Sequence, residues 1–275
     1  MREELAQAPL GHPTDYPDTY DPALLFAVPR APQRADIGLA DDALPFTGAD
    51  VWTAYEHTWL DPVGKPRIAI LTFTVPVTSP AIVESKSVKL YLGSFAQSRF
   101  ADADAMRAVV ARDLTAATGA PVPVALAAPA DFGRERLQAL AGESLDDLPV
   151  ACDRYEVAPE LLRAGGDVAA ETLVTDLFRS VCPVTNQPDY ASVAIAYRGP
   201  RVDRAGLLRY LVSYRHHAGF HEHCAERIFA DLTARCGCTA LTVHARFTRR
   251  GGIDINPFRS SAGLPLPGNV RTPRQ

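Results

Sequence analysis

The sequence lacks long apolar segments and a large excess of either charge, and both absences exclude classes of protein. No apolar run approaches the roughly 20 residues that a transmembrane helix requires, so we expect no membrane span. The formal net charge of -4 does not indicate a nucleic-acid-binding surface. Residues 1–10 contain no apolar core, so the sequence predicts no secretory signal.

Cysteine is scarce as well, with five residues in 275. An odd number of thiols without a signal favours reduced cysteines in a cytoplasmic protein over a disulfide framework. One residue separates Cys236 from Cys238, whereas zinc sites commonly space paired cysteines by about two to four residues. We therefore expect no bound metal, and we interpret Cys224 and Cys236 as small apolar core residues.

The length fits one large domain or two ordinary ones, and the composition is that of a globular protein. Hydrophobic residues make up 47% of the chain and charged residues 22%. Residues 1–45 are rich in proline, which excludes a long helix there, and we predict an extended arm. The first domain is predicted at 46–150 and the second at 151–275.

Both halves have the predicted order strand, strand, helix, helix, strand, and the second half adds one further strand. The first half contains two strands, two helices and a strand: 51–60, 67–77, 84–92, 103–118 and 122–128. The second half contains two strands, two helices and two strands: 171–181, 191–198, 203–217, 220–236, 240–249 and 253–258. Such an order predicts two similar domains with antiparallel sheets, an α+β protein.

A repeat within the sequence supports duplication of this unit. Residues 90–95 match residues 209–214 at an offset of 119, and Asp113-Leu114 matches Asp231-Leu232 at an offset of 118. Two matches at nearly the same offset, inside the same predicted order of elements, favour duplication over chance.

The segment from Cys182 to Asp189 joins two predicted strands and holds a thiol and a carboxylate seven residues apart. Pro183 and Pro188 stiffen it, because each fixes its own φ and restricts the residue before it. A rigidly held nucleophile beside a proton donor is what covalent catalysis requires. The segment also fits a hairpin loop with a buried cysteine and a turn-forming aspartate, and by itself it favours that interpretation.

Three further motifs carry polar groups at the ends of predicted elements. Phe220-His221-Glu222 begins one helix and Glu84-Ser85-Lys86 begins its counterpart in the first half. An acidic residue is also favoured at a helix start by the helix dipole alone. Arg249-Arg250-Gly251-Gly252 fits a hairpin turn, and its cations would ordinarily be solvated.

Together these motifs resemble the 7-cyano-7-deazaguanine reductases, the NADPH-dependent nitrile reductases of queuosine biosynthesis, in their long tandem-domain form. The matching runs occur in the expected order: 84–91, 182–189, 220–229 and 249–257. Asn186, Tyr190 and His223 stand where the family has Gly, Trp and Gln, and none of these departures removes a reactive group.

The resemblance implies the tunnelling fold shared with GTP cyclohydrolase I, here as two tandem units, each an antiparallel sheet with two helices on one face. It implies that Cys182 attacks the nitrile carbon and forms a covalent thioimidate, which two equivalents of NADPH reduce to the amine. Asp189 would then be the proton donor, and His221 would orient the substrate or relay a proton.

The resemblance also assigns binding residues. The substrate would contact Val83, Glu84, Ser85, His221 and Glu222, and NADPH would contact Ser85, Lys86, Arg250 and Gly251. A carboxylate suits a guanine-like edge, because that edge presents two donors that one carboxylate pairs bidentately. The expected partners are a small deazapurine and a second copy of the chain in a homodimer whose sheets join into a barrel, without metal, nucleic acid or membrane.

Two alternatives remain open from the sequence. One is a zinc-dependent cyclohydrolase on the same fold, which needs a zinc ligand set that these residues do not assemble. The other is a non-catalytic purine- or pterin-binding protein, in which Cys182 would be a core residue without thiol reactivity.

Overall fold

A computed structural model describes residues 15–275, and the chain divides into two compact units. The first unit comprises residues 15–32, Asp50–Arg136 and Arg249–Asp254, and the second comprises Gln33–Ala49, Leu137–Thr248 and Ile255–Gln275. The units therefore interleave along the chain: Gln33–Ala49 belongs to the second unit although first-unit residues flank it, and Arg249–Asp254 belongs to the first although second-unit residues flank it. The division into domains at 46–150 and 151–275 stays a prediction.

The first fourteen residues of the predicted N-terminal arm lie outside the described part of the chain. The rest of the arm forms only short elements, as its proline content predicts: a 3₁₀ turn at Pro22–Leu24, strand β1 at Ala27–Pro29 and helix α1 at Ala31–Ala35. β1 pairs with the antiparallel strand β4 (Ala81–Val83), so main-chain hydrogen bonds fix this part of the arm on the first unit.

The first unit is built on a β-hairpin. Strands β2 (Thr47–Leu60) and β3 (Pro66–Pro76) lie side by side, and β5 (Val124–Ala127) pairs antiparallel with β3. The Asp61 N–H donates to the Lys65 carbonyl at 3.0 Å and closes the turn between β2 and β3. The hairpin and the third strand that the sequence predicts are confirmed.

Two helices complete the first unit, α2 (Ser85–Gly93) and α3 (Ala103–Thr118). α3 has the predicted bounds, because Asp102 caps its first turn and accepts a main-chain N–H at 2.7 Å. Gly119 ends it with a φ of 75°. A Cβ at Gly119 would lie 2.6 Å from Pro80 Cγ, so conformation and space both require glycine.

The second unit combines a mostly antiparallel sheet with two helices. Its strands are β6 (Glu143–Ser144), β7 (Ala164–Val181), β8 (Pro188–Val202), β9 (Ala240–Phe247) and β10 (Ile253–Ser260). They neighbour one another in the order β10-β9-β8-β7-β6, and only β6 and β7 run parallel. The helices are α4 (Arg204–Val212), continued by a 3₁₀ turn at Ser213–His216, and α5 (His221–Cys236), which packs against β7, β8 and β9. The α+β class is confirmed.

Equivalent hydrogen bonds explain the sequence repeat. The Tyr91 hydroxyl donates to Asp113 at 2.8 Å in the first unit, and the Tyr210 hydroxyl donates to Asp231 at 2.7 Å in the second. Each tyrosine is therefore tied to a carboxylate one helix further along the chain. Because burial raises the pKa of Asp231, this hydroxyl compensates part of the cost of burying the carboxylate.

Candidate active site

The hairpin between β7 and β8 carries Cys182. The Cys182 N–H donates to the Gln187 carbonyl at 2.9 Å, and the Cys182 carbonyl accepts from the Asn186 N–H at 3.1 Å. Among the described residues, Asn186 alone combines a side chain with a positive φ, of 57°. Asparagine tolerates this left-handed conformation better than other residues with a Cβ, so it can replace glycine in the loop. Cys182, only 2% exposed, is thus held on a rigid turn.

Asp189 lies in strand β8 rather than in the loop where the sequence analysis placed it. β8 begins at Pro188, and Asp189 pairs across the ladder with Ser180. A proline at the first position of a strand costs no ladder hydrogen bond, so Pro188 begins the strand instead of delaying it. Regular sheet pairing therefore fixes the backbone that carries the buried Asp189 carboxylate.

Main-chain hydrogen bonds join the end of β7 to the segment that precedes α5. The Val181 N–H donates to the His217 carbonyl at 2.9 Å, and the Gly219 N–H donates to the Val181 carbonyl at 3.1 Å. Val181 immediately precedes Cys182, and Gly219 lies two residues before His221. The thiol and the first turn of α5 consequently share one anchored segment.

His221 is the first residue of α5 and is buried. Its Nε2 lies 3.4 Å from Asp189 Oδ2. Its ring stacks on Phe247 with a centroid distance of 3.8 Å and an interplanar angle of 7°. The imidazole therefore has a fixed plane and a carboxylate at one nitrogen, an arrangement that can hold and pass a proton.

Glu222 follows in the first turn of α5 and is 3% exposed. No side chain caps α5 at Phe220, whereas Glu84, Asp102 and Asp203 cap α2, α3 and α4. A carboxylate in this position gains from the positive end of the helix dipole. It offers buried acceptor oxygens that suit a ligand with neighbouring donors.

Cys224 and Cys236 are buried thiols, as the sequence analysis predicts. Burial raises the pKa of Cys224 to about 12, and burial raises the pKa of Cys236 to about 11. Both side chains therefore stay protonated near neutral pH and lack the thiolate that a nucleophile needs. All five cysteines are free.

Glu84 lies in the first unit and caps α2, so the predicted helix start is confirmed. Its carboxylate accepts the Lys86 N–H at 2.7 Å and the Ser87 N–H at 2.8 Å, and it is fully buried. Burial raises the pKa of Glu84, while these N–H groups, the Ser85 hydroxyl and the charge of Arg250 act in the opposite direction. Oε1 accepts from both Lys86 and Ser85, whereas Oε2 accepts only the Ser87 N–H among these contacts, so capping leaves Oε2 a second lone pair with which to accept.

The predicted cofactor residues also belong to the first unit. Ser85 and Lys86 form the first turn of α2, and Arg250 starts a turn in which its N–H donates to the Ile253 carbonyl at 2.8 Å. Gly251 has a φ of 59°, and a Cβ there would lie 2.8 Å from the side chain of Lys89. Gly251 and Lys89 also line a cavity of 260 Å³. Cationic side chains beside a glycine turn in the left-handed conformation suit a phosphate-bearing cofactor.

Val83, the remaining predicted substrate contact, is the buried last residue of β4.

In residues 15–275 no group of three or more His, Cys, Asp or Glu side chains is placed to hold a metal ion. Nor does any helix of that range combine the length and hydropathy needed to cross a membrane. The ring of Phe247 stacks on His221. The sequence predicts Phe247 only as a strand residue, because a contact between residues 26 positions apart leaves no local signal in the sequence.

A buried thiol, carboxylate and imidazole around one hairpin of an α+β fold are typical of an enzyme that uses a cysteine. Residues 16–126 match a family model described as "Nitrile reductase, 7-cyano-7-deazaguanine-reductase N-term", and residues 188–264 match one described as "QueF-like protein". The chain belongs to the 7-cyano-7-deazaguanine reductase family.

Curated relatives match nearly the whole chain. The NADPH-dependent 7-cyano-7-deazaguanine reductase of Bordetella avium (strain 197N) is 56% identical over 272 residues, which cover 98% of this chain and 99% of the relative. The reductase of the same name from Burkholderia multivorans (strain ATCC 17616 / 249) is 56% identical over 270 residues, 98% of each chain. These names favour the reductase over the cyclohydrolase and binding-protein alternatives.

One solved structure shares limited similarity with this chain, the archaeosine synthase QueF-Like in the apo form. It has a TM-score of 0.32 and 18% identity, and covers 37% of this chain and 99% of its own. A likeness at this level carries no conclusion about this protein.

Proposed function

We propose that the protein reduces the nitrile of 7-cyano-7-deazaguanine to the aminomethyl group with NADPH, a step in queuosine biosynthesis. The observation that carries the proposal is the buried set of Cys182, Asp189 and His221, in a chain 56% identical along 98% of its length to reductases of that name. As an oxidoreductase it would act on a free deazapurine and not on nucleic acid.

The first proposed step is attack of the Cys182 sulfur on the nitrile carbon. A carbon–sulfur bond forms, one π pair of the C≡N bond moves to nitrogen, and that nitrogen takes a proton from Asp189. The product is a covalent thioimidate, whose C=N accepts hydride more readily than a linear nitrile. NADPH, when bound, supplies two hydrides in succession, and the thiol leaves after the first.

Proton handling falls to Asp189 and His221. An ionised carboxylate beside the thiol opposes formation of the thiolate, so Asp189 either takes the thiol proton itself or is protonated before attack. The separation of 3.4 Å between Asp189 Oδ2 and His221 Nε2 supports exchange of a proton between them. His221 would then serve the nitrogen during reduction of the imine.

Substrate and cofactor recognition is assigned to buried carboxylates and to cations. Glu222 and Glu84 would each accept hydrogen bonds from the guanine-like edge of the substrate. A base without those donors would leave buried acceptors without partners and would bind more weakly. Val83, Ser85 and His221 are the other proposed substrate contacts. Ser85, Lys86, Arg250 and Gly251 are proposed to bind NADPH, with the two cations at its phosphates.

Two measurements on the unmodified protein test this function. Mixing with the nitrile in the absence of NADPH should raise the intact mass by one substrate per chain, located by peptide mapping at Cys182. With NADPH present, two equivalents should be oxidised for each nitrile consumed, with the amine as product. A product other than the amine, or an activity that requires stoichiometric zinc, would contradict the proposal.

We also propose a homodimer and a cytoplasmic location. In the second unit, β7 has only the two-residue β6 beyond it, and its residues Val168 and Leu177 are exposed. Open strand edges with exposed apolar residues favour pairing with another chain. Five free thiols suit a reducing compartment.

Light scattering during size exclusion tests the dimer. The chain has a mass of 29.7 kDa, and the measured mass is expected to be twice that value. Charged replacements on the β7 edge, Val168→Lys with Leu177→Lys, should shift it towards the monomer because they place like charges at the pairing edge. The matched control is Val63→Lys, an exposed valine on the turn between β2 and β3, which should leave the mass unchanged. A monomeric parent protein would refute the dimer.

A further inference from the structure

The side chain of Gln275 is buried in the second unit and makes four hydrogen bonds. Its Nε2 donates to the Phe247 carbonyl at 2.8 Å and to Asn256 Oδ1 at 2.7 Å. Its Oε1 accepts from Arg246 Nε at 2.9 Å and from the Thr272 N–H at 3.0 Å. Both donors and both acceptor positions of the amide are used, so only a primary amide in this orientation satisfies the site.

Phe247 is the last residue of strand β9, and its ring stacks on the His221 imidazole. Phe247 pairs with Ala191 of β8, two residues beyond Asp189, and Gln275 binds its carbonyl from another direction. The Phe247 ring meets Phe178 edge-on, with a centroid distance of 5.9 Å, and lies parallel to the imidazole of His221 at 3.8 Å. A shift of the Phe247 backbone would therefore move the surface on which the imidazole rests.

We propose that Gln275 is a positioning residue of the active site, whose side-chain amide holds the end of β9 so that Phe247 keeps the His221 imidazole directed at Asp189. The inference rests on the proposed role of His221 in proton transfer. Gln275 touches none of the reacting groups and acts only through Phe247. Displacing a catalytic group by a fraction of an ångström lowers the rate far more than it weakens binding.

Gln275→Glu is the decisive variant, because it keeps the shape of the side chain. A carboxylate still accepts from Arg246 and from the Thr272 N–H, but it places an oxygen against the Phe247 carbonyl. We expect kcat to fall about 10-fold with the KM for the nitrile within about twofold, and the pH profile of kcat to shift because the contact between His221 and Asp189 loosens. Gln275→Ala removes all four hydrogen bonds of the side chain, and its thermal unfolding shows how much they contribute to stability.

Asn269→Ala is the matched control. Asn269 lies in the same segment and accepts from Arg246 Nη1 at 2.7 Å. It should lose stability in proportion to that contact while its kcat and pH profile stay those of the parent protein.

A double-mutant cycle separates positioning from general destabilisation. If Gln275 acts through His221, Gln275→Glu should change kcat by less than about twofold in a His221→Ala background, since the group it positions is gone. The same 10-fold loss in both backgrounds would overturn the proposal, as would a Gln275→Glu protein with the kcat and pH profile of the parent. The adduct at Cys182 in the parent protein is measured independently. A missing adduct would refute the proposed function itself, whereas a normal adduct with an unchanged Gln275→Glu protein would refute only the role of Gln275.

Discussion

Cys182→Ala is expected to abolish both turnover and the covalent adduct. Attack by this thiol converts the nitrile into a C=N that accepts hydride, and without it the barrier to hydride transfer returns in full. Loss of a nucleophile of this kind lowers kcat on the order of 10⁴-fold or more. The other buried thiols, Cys224 and Cys236, cannot take its place, because burial raises their pKa values to about 12 and about 11 and keeps them protonated.

Two readouts and one matched variant make the test of Cys182 specific. Intact mass after mixing with the nitrile reports the adduct, and NADPH oxidation with excess nitrile reports turnover. Cys224→Ala removes the same atom from a buried thiol one turn along α5 from His221, and it should retain the adduct and turnover while losing some stability. An adduct that maps to Cys224, or near-normal turnover by Cys182→Ala, would refute the mechanism.

Local sequence signals predicted elements whose ends are set by local chemistry. The bounds of α3 follow from Asp102 and Gly119, a side-chain cap and a left-handed glycine, and both signals lie within the helix ends themselves. By contrast, β7 begins at Ala164, several residues before the predicted start. Residues 164–170 carry little apolar alternation, so the strand is held by pairing with β8, which no local pattern reveals.

The parts of the site differ in the same way. Cys182, Asp189, His221 and Glu222 lie in motifs that sequence comparison with a family recognises. Phe247 and Gln275 lie outside those motifs, and their contacts with the site arise from tertiary packing between strand ends. Sequence reasoning also treated Asp189 as a loop residue, because Pro183 and Pro188 were both interpreted as loop signals, although a proline is allowed where a strand begins.

The roles proposed for Asp189 and Glu222 predict opposite kinetic defects. Asp189→Asn keeps the shape of the side chain but removes the transferable proton, so kcat should fall about 10²–10⁴-fold, the range for loss of a general acid, with little loss of nitrile affinity. Glu222→Gln places an amide N–H donor where the substrate presents donors. It should weaken nitrile binding about 100-fold, because a charge-assisted pair is lost inside a buried site.

Affinity is best measured in a Cys182→Ala background, by titration calorimetry, because no adduct then forms to mask reversible binding. In that background Asp189→Asn should bind the nitrile within a few-fold of its parent, whereas Glu222→Gln should not. Glu160→Gln is the matched control, since that side chain is 53% exposed and pairs with Arg154 away from the site. The difference follows from chemistry: a proton donor is needed as charge develops on the nitrile nitrogen, whereas an edge acceptor is needed before any bond changes. Equal losses of affinity in the two variants would show that Asp189 also holds the substrate, and the division of roles between β8 and α5 would have to be abandoned.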